Sequence, residues 1–225
     1  LRRLGAGPAE TPRPGGSVPM NLPNKLTVAR LASVPFFLLC VSWDNVYARL
    51  GALGIFIAAG ITDLVDGHIA RTRNMVTPLG VFLDPLADKL IITAAFISFI
   101  ELRDLHIPAW MIVAIVGREF VLTGLRAVAA SQGQIMAADD GGKFKTSIQN
   151  TAIIAILVAL VVASGLERFG GHSIENLYAL GGWRGDAARV LDWVPFWMAF
   201  GATLFSLVTG VSYLRKHWAL LKEYP

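Results

Sequence analysis

Long apolar stretches run through most of this chain and restrict its fold more than any other feature. Each of six stretches holds about 20 residues, which is the length that an α-helix needs to cross a hydrocarbon layer about 30 Å thick. Backbone groups find no partners in lipid, so such spans must be helical. We therefore predict an all-α membrane domain over 21–225 with six transmembrane helices. The predicted spans cover about 26–43, 47–70, 79–100, 108–130, 146–164 and 193–214.

The composition agrees with a polytopic membrane protein, since 54% of the residues are hydrophobic and only 16% are charged. Residues 1–20 differ from the rest because they are rich in proline, glycine and arginine and contain no apolar core. We predict that they form a basic, disordered tail and not a signal peptide. The single cysteine, Cys40, lies in the first predicted span, which excludes an internal disulfide.

Basic residues concentrate on alternate connections between the predicted spans. Lys25 precedes the first span, Arg71 and Arg73 follow the second, and Lys143 and Lys145 follow the fourth. The positive-inside rule then places both termini and these connections in the cytoplasm. This cationic belt would attract anionic membrane lipids. The cations are too dispersed for a nucleic-acid-binding surface, so we expect no nucleic-acid partner.

Four aspartates lie near the cytoplasmic ends of predicted spans two and three, where carboxylates are costly and usually functional. Asp63 and Asp66 are three residues apart, and Asp84 and Asp88 are four apart, so each pair shares one face of its helix. The connection between the spans is short, which predicts that the two helices are antiparallel neighbours with facing carboxylate pairs. We expect the second of these helices to begin at Pro78.

Carboxylates in this number predict a site for divalent cations. Oxygen ligands favour Mg²⁺, Mn²⁺ or Ca²⁺ over zinc or copper. Four carboxylates suffice for two ions, and two ions suit displacement at phosphorus. Structural ion pairs with Arg71, Arg73 and Lys89 are a weaker alternative, because buried pairs rarely repay their desolvation. A divalent-cation transporter is another alternative, although transporters usually contain internal repeats and these acids lie in a single helix pair.

The spacing of these residues resembles the complete signature of the CDP-alcohol phosphotransferase family. The matching string is Asp63-x2-Asp66-Gly67-x2-Ala70-Arg71-x8-Gly80-x3-Asp84-x3-Asp88. The resemblance implies a membrane enzyme of six transmembrane helices, usually dimeric. Such enzymes move a phosphatidyl or similar group from a CDP-linked donor to an alcohol and release CMP.

The resemblance also implies roles for individual residues. Asp63, Asp66 and Asp84 would bind two Mg²⁺ or Mn²⁺ ions, while Asp88 would both bind metal and act as the general base. Arginine forms paired hydrogen bonds with phosphate oxygens, so Arg71 is expected at the diphosphate of the CDP-lipid. Two further residues are expected to contact the CDP-lipid: Gly67 and Thr77.

The other candidate residues of the CDP-lipid site have alternative interpretations. Asn24 and Thr27, with Arg30, could reach the nucleotide or the acceptor from the start of span one, or could simply begin the helix. Ala70 and Gly80, like Gly67, could leave space for a ligand or allow close helix packing.

Arg118 lies near the middle of predicted span four, where a lone arginine is costly unless it faces water or a partner. Adjacent helix positions diverge by about 100°, so we do not expect Glu119 to pair with Arg118. We predict that Arg118 belongs to a cationic pocket for the phosphate of an acceptor. The other predicted members of the pocket are Arg126, Lys143 and Lys145. For the two lysines, a solvated loop is the alternative.

Segments at 21–30, 83–89, 117–120 and 142–149 resemble the bacterial phosphatidylglycerophosphate synthases of this family. That resemblance implies CDP-diacylglycerol and sn-glycerol 3-phosphate as substrates, and a homodimer in the bacterial inner membrane with its active site facing the cytoplasm. Cardiolipin synthases of the family, which use phosphatidylglycerol as acceptor, share the string at 84–89 and are the alternative. A long loop predicted at about 165–192 matches no known pattern.

Overall fold

The computed structural model shows an all-α protein and describes residues 22–72, 78–102, 105–131, 140–171 and 173–216. No strand occurs in these ranges, so the predicted fold class is confirmed. The predicted tail over 1–20 lies outside the described residues. The helices are α1 (Leu22–Ser42), α2 (Val46–Thr72), α3 (Pro78–Glu101), α4 (Ala109–Ser131), α5 (Asp140–Gly170), α6 (Ile174–Leu180) and α7 (Gly182–Lys216).

Six of these helices correspond to the six predicted spans, but the count of six spans is not confirmed. Within the described ranges, α1, α2, α5 and α7 are long and apolar enough to cross a membrane. Helices α3 and α4 have 24 and 23 residues, which is sufficient length. Both carry several charged side chains, so their crossing of the membrane stays a prediction.

The prediction of a long loop over 165–192 is wrong. Helix α5 continues to Gly170, and α6 and α7 account for nearly all the rest of this segment. Gly171, Gly181 and Gly182 have φ values of 63°, 64° and 61°, which glycine adopts without steric cost, so they can form the turns. The polar composition of this segment predicts a loop, but α6 packs against α7 in the structure.

Contacts at the end of the bundle away from the aspartates fasten α6 and the α3–α4 connection to α7. The Tyr178 hydroxyl donates a hydrogen bond to Asp192 at 2.5 Å, and the His106 ring stacks on Trp193 with ring centroids 5.6 Å apart. Burial, together with the hydrogen bond to Asp192, raises the pKa of Tyr178 to about 12. The hydroxyl therefore remains a donor at neutral pH.

Helix α1 is central to the half of the bundle that carries the aspartates. It packs extensively against both α2 and α3, whereas contacts between α2 and α3 are few among the described residues. In the described part of the chain, spans two and three therefore meet chiefly through α1 and not by the predicted direct packing. The physical reason is that α1 supplies both apolar packing, through Phe37 and Val41, and polar partners for the acids of both helices.

Candidate active site

One face of α1 is polar and buried at the end where the aspartates lie. Asn24, Thr27 and Arg30 recur at three-residue spacing, which places them along one side of the helix. Their exposed fractions are 2%, 0% and 3%. Buried polar groups need hydrogen-bond partners, so this face must be directed at other polar groups inside the protein.

Three of the four aspartates converge on the Arg30 guanidinium. Arg30 Nη1 donates hydrogen bonds to Asp63 at 2.6 Å and to Asp88 at 3.3 Å. Arg30 Nη2 donates to Asp66 at 2.7 Å. The planar fork of arginine allows one side chain to bind several carboxylates in this way. Arg30 thus joins α1 to carboxylates of both α2 and α3.

Thr27 holds the fourth aspartate. Its hydroxyl donates to Asp84 at 2.7 Å and also lies 3.1 Å from the backbone carbonyl oxygen of Pro23. The structure therefore brings all four aspartates of the signature together around the polar face of α1. Its place in the sequence puts Arg30 at the start of span one but does not link it to the aspartates. The recurrence of polar residues at every third position of α1 is the sequence feature that indicates a buried polar contact there.

The predicted cage of carboxylates does not appear as an ion-binding cluster. No three acidic, histidine or cysteine side chains in the described ranges are placed as ligands of a single cation, because a guanidinium takes the centre. The chemistry of the donors nevertheless fits a divalent cation. Three carboxylates share the single positive charge of Arg30, the fourth accepts from Thr27, and every donor is oxygen. The side chains of Asp63 and Asp88 are 37% and 44% exposed, so both remain accessible to a ligand.

Two cavities adjoin Asp88. The first, of about 580 Å³, lies among α3, α4, α5 and α7 and is lined by Arg118 and Lys145. The second, of about 730 Å³, lies mainly among α2, α3 and α5. Apolar side chains such as Ile61 form most of its lining, and its polar lining residues include Asp63, Asn150 and Arg126 of α4. Asp88 and Arg126 line both cavities, so the two cavities adjoin at these side chains. Arg118 and Lys145 line only the first cavity, and the apolar side chains of α2 line only the second.

The first cavity brings together three of the four predicted cations of the acceptor pocket. These are Arg118, Arg126 and Lys145, whereas the side chain of Lys143 lies outside the described residues. Arg126 Nε donates to the Tyr213 hydroxyl at 3.3 Å, and its guanidinium lies over the Tyr213 ring at 5.2 Å from the centroid. These contacts with α7 hold Arg126 at the wall of the cavity.

The expectation that Glu119 does not pair with Arg118 is wrong. A Glu119 carboxylate oxygen lies 3.2 Å from Arg118 Nη1 and also forms an ion pair with Lys145. Side chains of this length can bend toward each other even though their backbone positions diverge. The cationic cavity is therefore lined by a second carboxylate besides Asp88.

Helix α7 positions Arg118 through residues that the sequence analysis did not single out. Arg118 Nη2 donates to the Thr209 hydroxyl at 3.2 Å. A Cβ atom on Gly210 would lie 2.8 Å from Arg118 Cγ, so only glycine leaves room for this arginine in its present position. Neither residue carries a charge, and their proximity to Arg118 depends on how α4 and α7 pack.

A buried amide also faces the cationic cavity. Gln149 on α5 is 3% exposed and lines this cavity, and its Nε2 has no hydrogen-bond partner among the described residues. An unsatisfied buried donor is costly, so a ligand in the cavity is a natural partner for it. Lys89 lines the same cavity and donates to the Thr123 hydroxyl at 2.8 Å.

The remaining predicted residues of the CDP-lipid site are only partly described. Gly67 is half-buried near the end of α2, and Gly80 is buried in the first turn of α3. Helix α2 includes Ala70 and Arg71, but their side chains lie outside the described residues, as does Thr77 altogether. Helix α3 begins at Pro78, as predicted.

Comparison with known proteins agrees with the signature. The CDP-alcohol phosphatidyltransferase family matches residues 20–209. A CDP-diacylglycerol–glycerol-3-phosphate 3-phosphatidyltransferase of Bacillus subtilis is 38% identical over 90% of this chain and 97% of the relative. The enzyme of that name from Rickettsia bellii is 36% identical over 87% of this chain and 94% of the relative.

A cardiolipin synthase (CMP-forming) of Oryza sativa is also similar, at 35% identity over 93% of this chain but only 61% of the relative. The family match extends over most of the chain and includes all four aspartates around α1. The chain therefore belongs to the CDP-alcohol phosphatidyltransferase family, whose members are transferases.

Proposed function

We propose that this protein transfers the phosphatidyl group from CDP-diacylglycerol to sn-glycerol 3-phosphate, giving phosphatidylglycerophosphate and CMP. The observation that carries this proposal is the position of Asp88 between a cationic and a largely apolar cavity. A general base must reach the acceptor hydroxyl while that hydroxyl lies beside the phosphorus of the donor. The names of the Bacillus and Rickettsia relatives support the same reaction.

The second cavity suits the lipid part of the donor. Its apolar lining includes Phe56, Ile57 and Ile91, and its polar lining includes Asp63 and Asp88. Ile61, which also lines it, is 57% exposed, as expected of a side chain that faces lipid. The acyl chains would lie along this lining while the diphosphate and cytidine remain near the aspartates. Arg71 is the expected partner of the diphosphate.

The four aspartates are the proposed ligands of divalent cations, with Mg²⁺ or Mn²⁺ as the expected metals and two as the expected number. When bound, the ions supply positive charge that neutralises the diphosphate and stabilises CMP as the leaving group. Asp88 accepts the proton of the acceptor hydroxyl as that oxygen forms a bond to the phosphorus on the lipid side. The bond from this phosphorus to the CMP oxygen breaks, and CMP leaves with the electron pair.

The cationic cavity suits a phosphomonoester acceptor. A phosphate monoester carries close to two negative charges at neutral pH, and Arg118, Arg126 and Lys145 line the cavity beside Asp88. Lys143 stays a predicted member of this group, and Gln149 adds a buried amide donor. The cardiolipin synthase alternative uses the neutral glycerol of phosphatidylglycerol, which does not need three cations around its free end.

The charge distribution and the bacterial relatives support a proposed location for the protein. We place it in a bacterial plasma membrane, with both termini and the aspartate end of the bundle in the cytoplasm, because cations concentrate on that side. The substrates would be one lipid and one soluble phosphate ester that meet at this membrane surface. A homodimer is the expected assembly from the family resemblance.

The test is a reaction of the purified protein with CDP-diacylglycerol and a panel of acceptors, scored by CMP release and by the mass of the lipid product. The panel contains glycerol 3-phosphate, phosphatidylglycerol, inositol phosphate and buffer alone. We expect phosphatidylglycerophosphate with glycerol 3-phosphate and little product otherwise. Cardiolipin as the main product would replace this proposal by the cardiolipin synthase alternative. Metal flux into liposomes without CMP release would favour the transporter.

A further inference from the structure

We propose that Arg30 is a built-in counter-ion that positions the aspartates while the metal site is empty and gives up part of that role when a divalent cation binds. This inference rests on the proposed metal site. It concerns a residue of α1 that lies outside the aspartate signature on α2 and α3. Arg30 is on this view a positioning residue, which acts through the carboxylates and not on the substrate.

The geometry of Arg30 supports this role. Its side chain is 1% exposed, and its two terminal nitrogens contact Asp63, Asp66 and Asp88. Its Nε is buried without a hydrogen-bond partner in the described ranges, so one donor of the guanidinium is left unsatisfied. An arginine this deep among membrane helices is tolerated only when its charge is compensated.

Packing makes Arg30 the main link between the carboxylates of two helices. Because α2 and α3 have few contacts with each other in the described part of the chain, the acids they carry are held together chiefly through α1. Without the guanidinium, Asp63, Asp66 and Asp88 would face one another with no positive charge between them. Repulsion among these carboxylates would then separate the helix ends.

A divalent cation at the same carboxylates would supply the missing charge. The form without metal should therefore depend on Arg30, and the form with metal should depend on it less. A ligand that binds only the folded state stabilises that state. The stabilisation by a cation should be largest in a protein whose carboxylates repel one another without it. Loss of Arg30 should thus make folding stability strongly dependent on divalent cations.

The chain offers a matched control in Arg49. This arginine on α2 is also buried, at 8% exposure, and its Nε also has no partner among the described residues. It contacts Asp44 at 2.8 Å and the Ser164 hydroxyl, at the end of α2 away from the aspartate signature. Its replacement removes a buried arginine without touching the proposed metal ligands.

The experiment measures thermal unfolding of the full-length protein in detergent, without substrates. Four proteins are compared: the unaltered chain, Arg30→Gln, Arg30→Lys and Arg49→Gln. Each is melted in excess chelator and in saturating MgCl₂, with NaCl adjusted to equal ionic strength so that simple screening is constant. The readout is the change in melting temperature that Mg²⁺ produces.

We expect Arg30→Gln to melt at least about 5 °C below the unaltered chain in chelator, and Mg²⁺ to recover most of that loss. Its Mg²⁺-induced shift should be at least twice that of the unaltered chain. Arg30→Lys keeps the charge, so its Mg²⁺-induced shift should lie between those of the unaltered chain and Arg30→Gln. Arg49→Gln should lower the melting temperature by the same amount in both buffers. If Arg30→Gln folds only when purified in Mg²⁺ and unfolds on chelation, the proposal is supported in the same way.

Equal Mg²⁺-induced shifts for the unaltered chain and Arg30→Gln would overturn the role of Arg30 while leaving the metal site intact. Failure of Arg30→Gln to fold with or without Mg²⁺, together with an unchanged Mg²⁺-induced shift in Arg30→Lys, would overturn it too. No shift in any of the four proteins would instead remove the proposed metal site, and with it this inference. The two failures are therefore distinguishable in one experiment.

Discussion

The acidic and cationic clusters of this protein are nearly mirror images in charge but differ in how they are held. Three of the four aspartates contact Arg30 of α1, whereas Arg118 of α4 and Lys145 of α5 contact Glu119. The Arg30 side chain is 1% exposed and links three helices, while the Glu119 side chain is 28% exposed and pairs with its neighbour Arg118 and with Lys145 of α5. The acidic cluster is therefore built into the packing of the bundle, and the cationic cluster lines an open cavity.

This difference corresponds to the kinds of ligand that we propose for the two clusters. Metal ligands must be fixed to within a fraction of an ångström, which favours side chains held by a buried helix. A soluble phosphate ester must enter and leave, which favours a cavity lined by cations. Asp88 belongs to the acidic cluster and also lines the cationic cavity, so it is the point at which the two clusters act together.

The largest effect is expected where the clusters meet. Asp88→Asn should lower CMP release at least about 1000-fold, because the amide is not a base and is a poor metal ligand. Asp186→Asn, at an exposed carboxylate on α7, is the control and should retain activity. Initial rates with CDP-diacylglycerol and glycerol 3-phosphate provide the measurement, with thermal melting to confirm folding. Residual activity above a tenth of the original would exclude Asp88 as the base.

Arg118→Ala should separate the functions of the two clusters. Loss of a charge-assisted contact to phosphate should raise KM for glycerol 3-phosphate about 10- to 100-fold and leave KM for the CDP-lipid nearly unchanged. Arg189→Ala, at an exposed arginine of α7, is the control. Steady-state kinetics with each substrate varied in turn would decide the matter. Equal increases for both substrates would contradict the assignment of the cationic cavity to the acceptor.

A smaller effect should follow from Gly210→Ala, which changes the position of Arg118 without removing it. The new Cβ would lie 2.8 Å from Arg118 Cγ, so this side chain must shift. We expect KM for glycerol 3-phosphate to rise about 3- to 10-fold, since a displaced charge still attracts phosphate. Gly201→Ala is a matched control on the same helix, with no atom within 4 Å of the added Cβ. If both variants behave alike, α7 does not position Arg118.

Features that depend on local sequence could be predicted. Helix α3 begins at Pro78 because proline suits a first helical position, and the apolar runs correspond to helices. The spacing of the acids on α2 and α3 predicts that the four aspartates come together, but Thr27 and Arg30 of α1 join them in the structure. The identities of the acids and their spacing were enough to indicate the family before any geometry was known.

Features that depend on packing could not be predicted in the same way. Periodicity shows which face of α1 is polar, but it does not show that Arg30 lies among carboxylates of two other helices. The pairing of Glu119 with Arg118 depends on side-chain torsions, which backbone angles leave open. The helices within 165–192 were missed because hydropathy detects spans and not short helices that pack on a neighbour.

The most direct test of the central claim is CMP release from CDP-diacylglycerol and glycerol 3-phosphate as free Mg²⁺ is lowered with a chelator. We expect activity to disappear in excess chelator and to return when Mg²⁺ is restored, because the aspartates need the cation to bind the diphosphate. Undiminished CMP release at vanishing divalent-ion concentration would contradict the account.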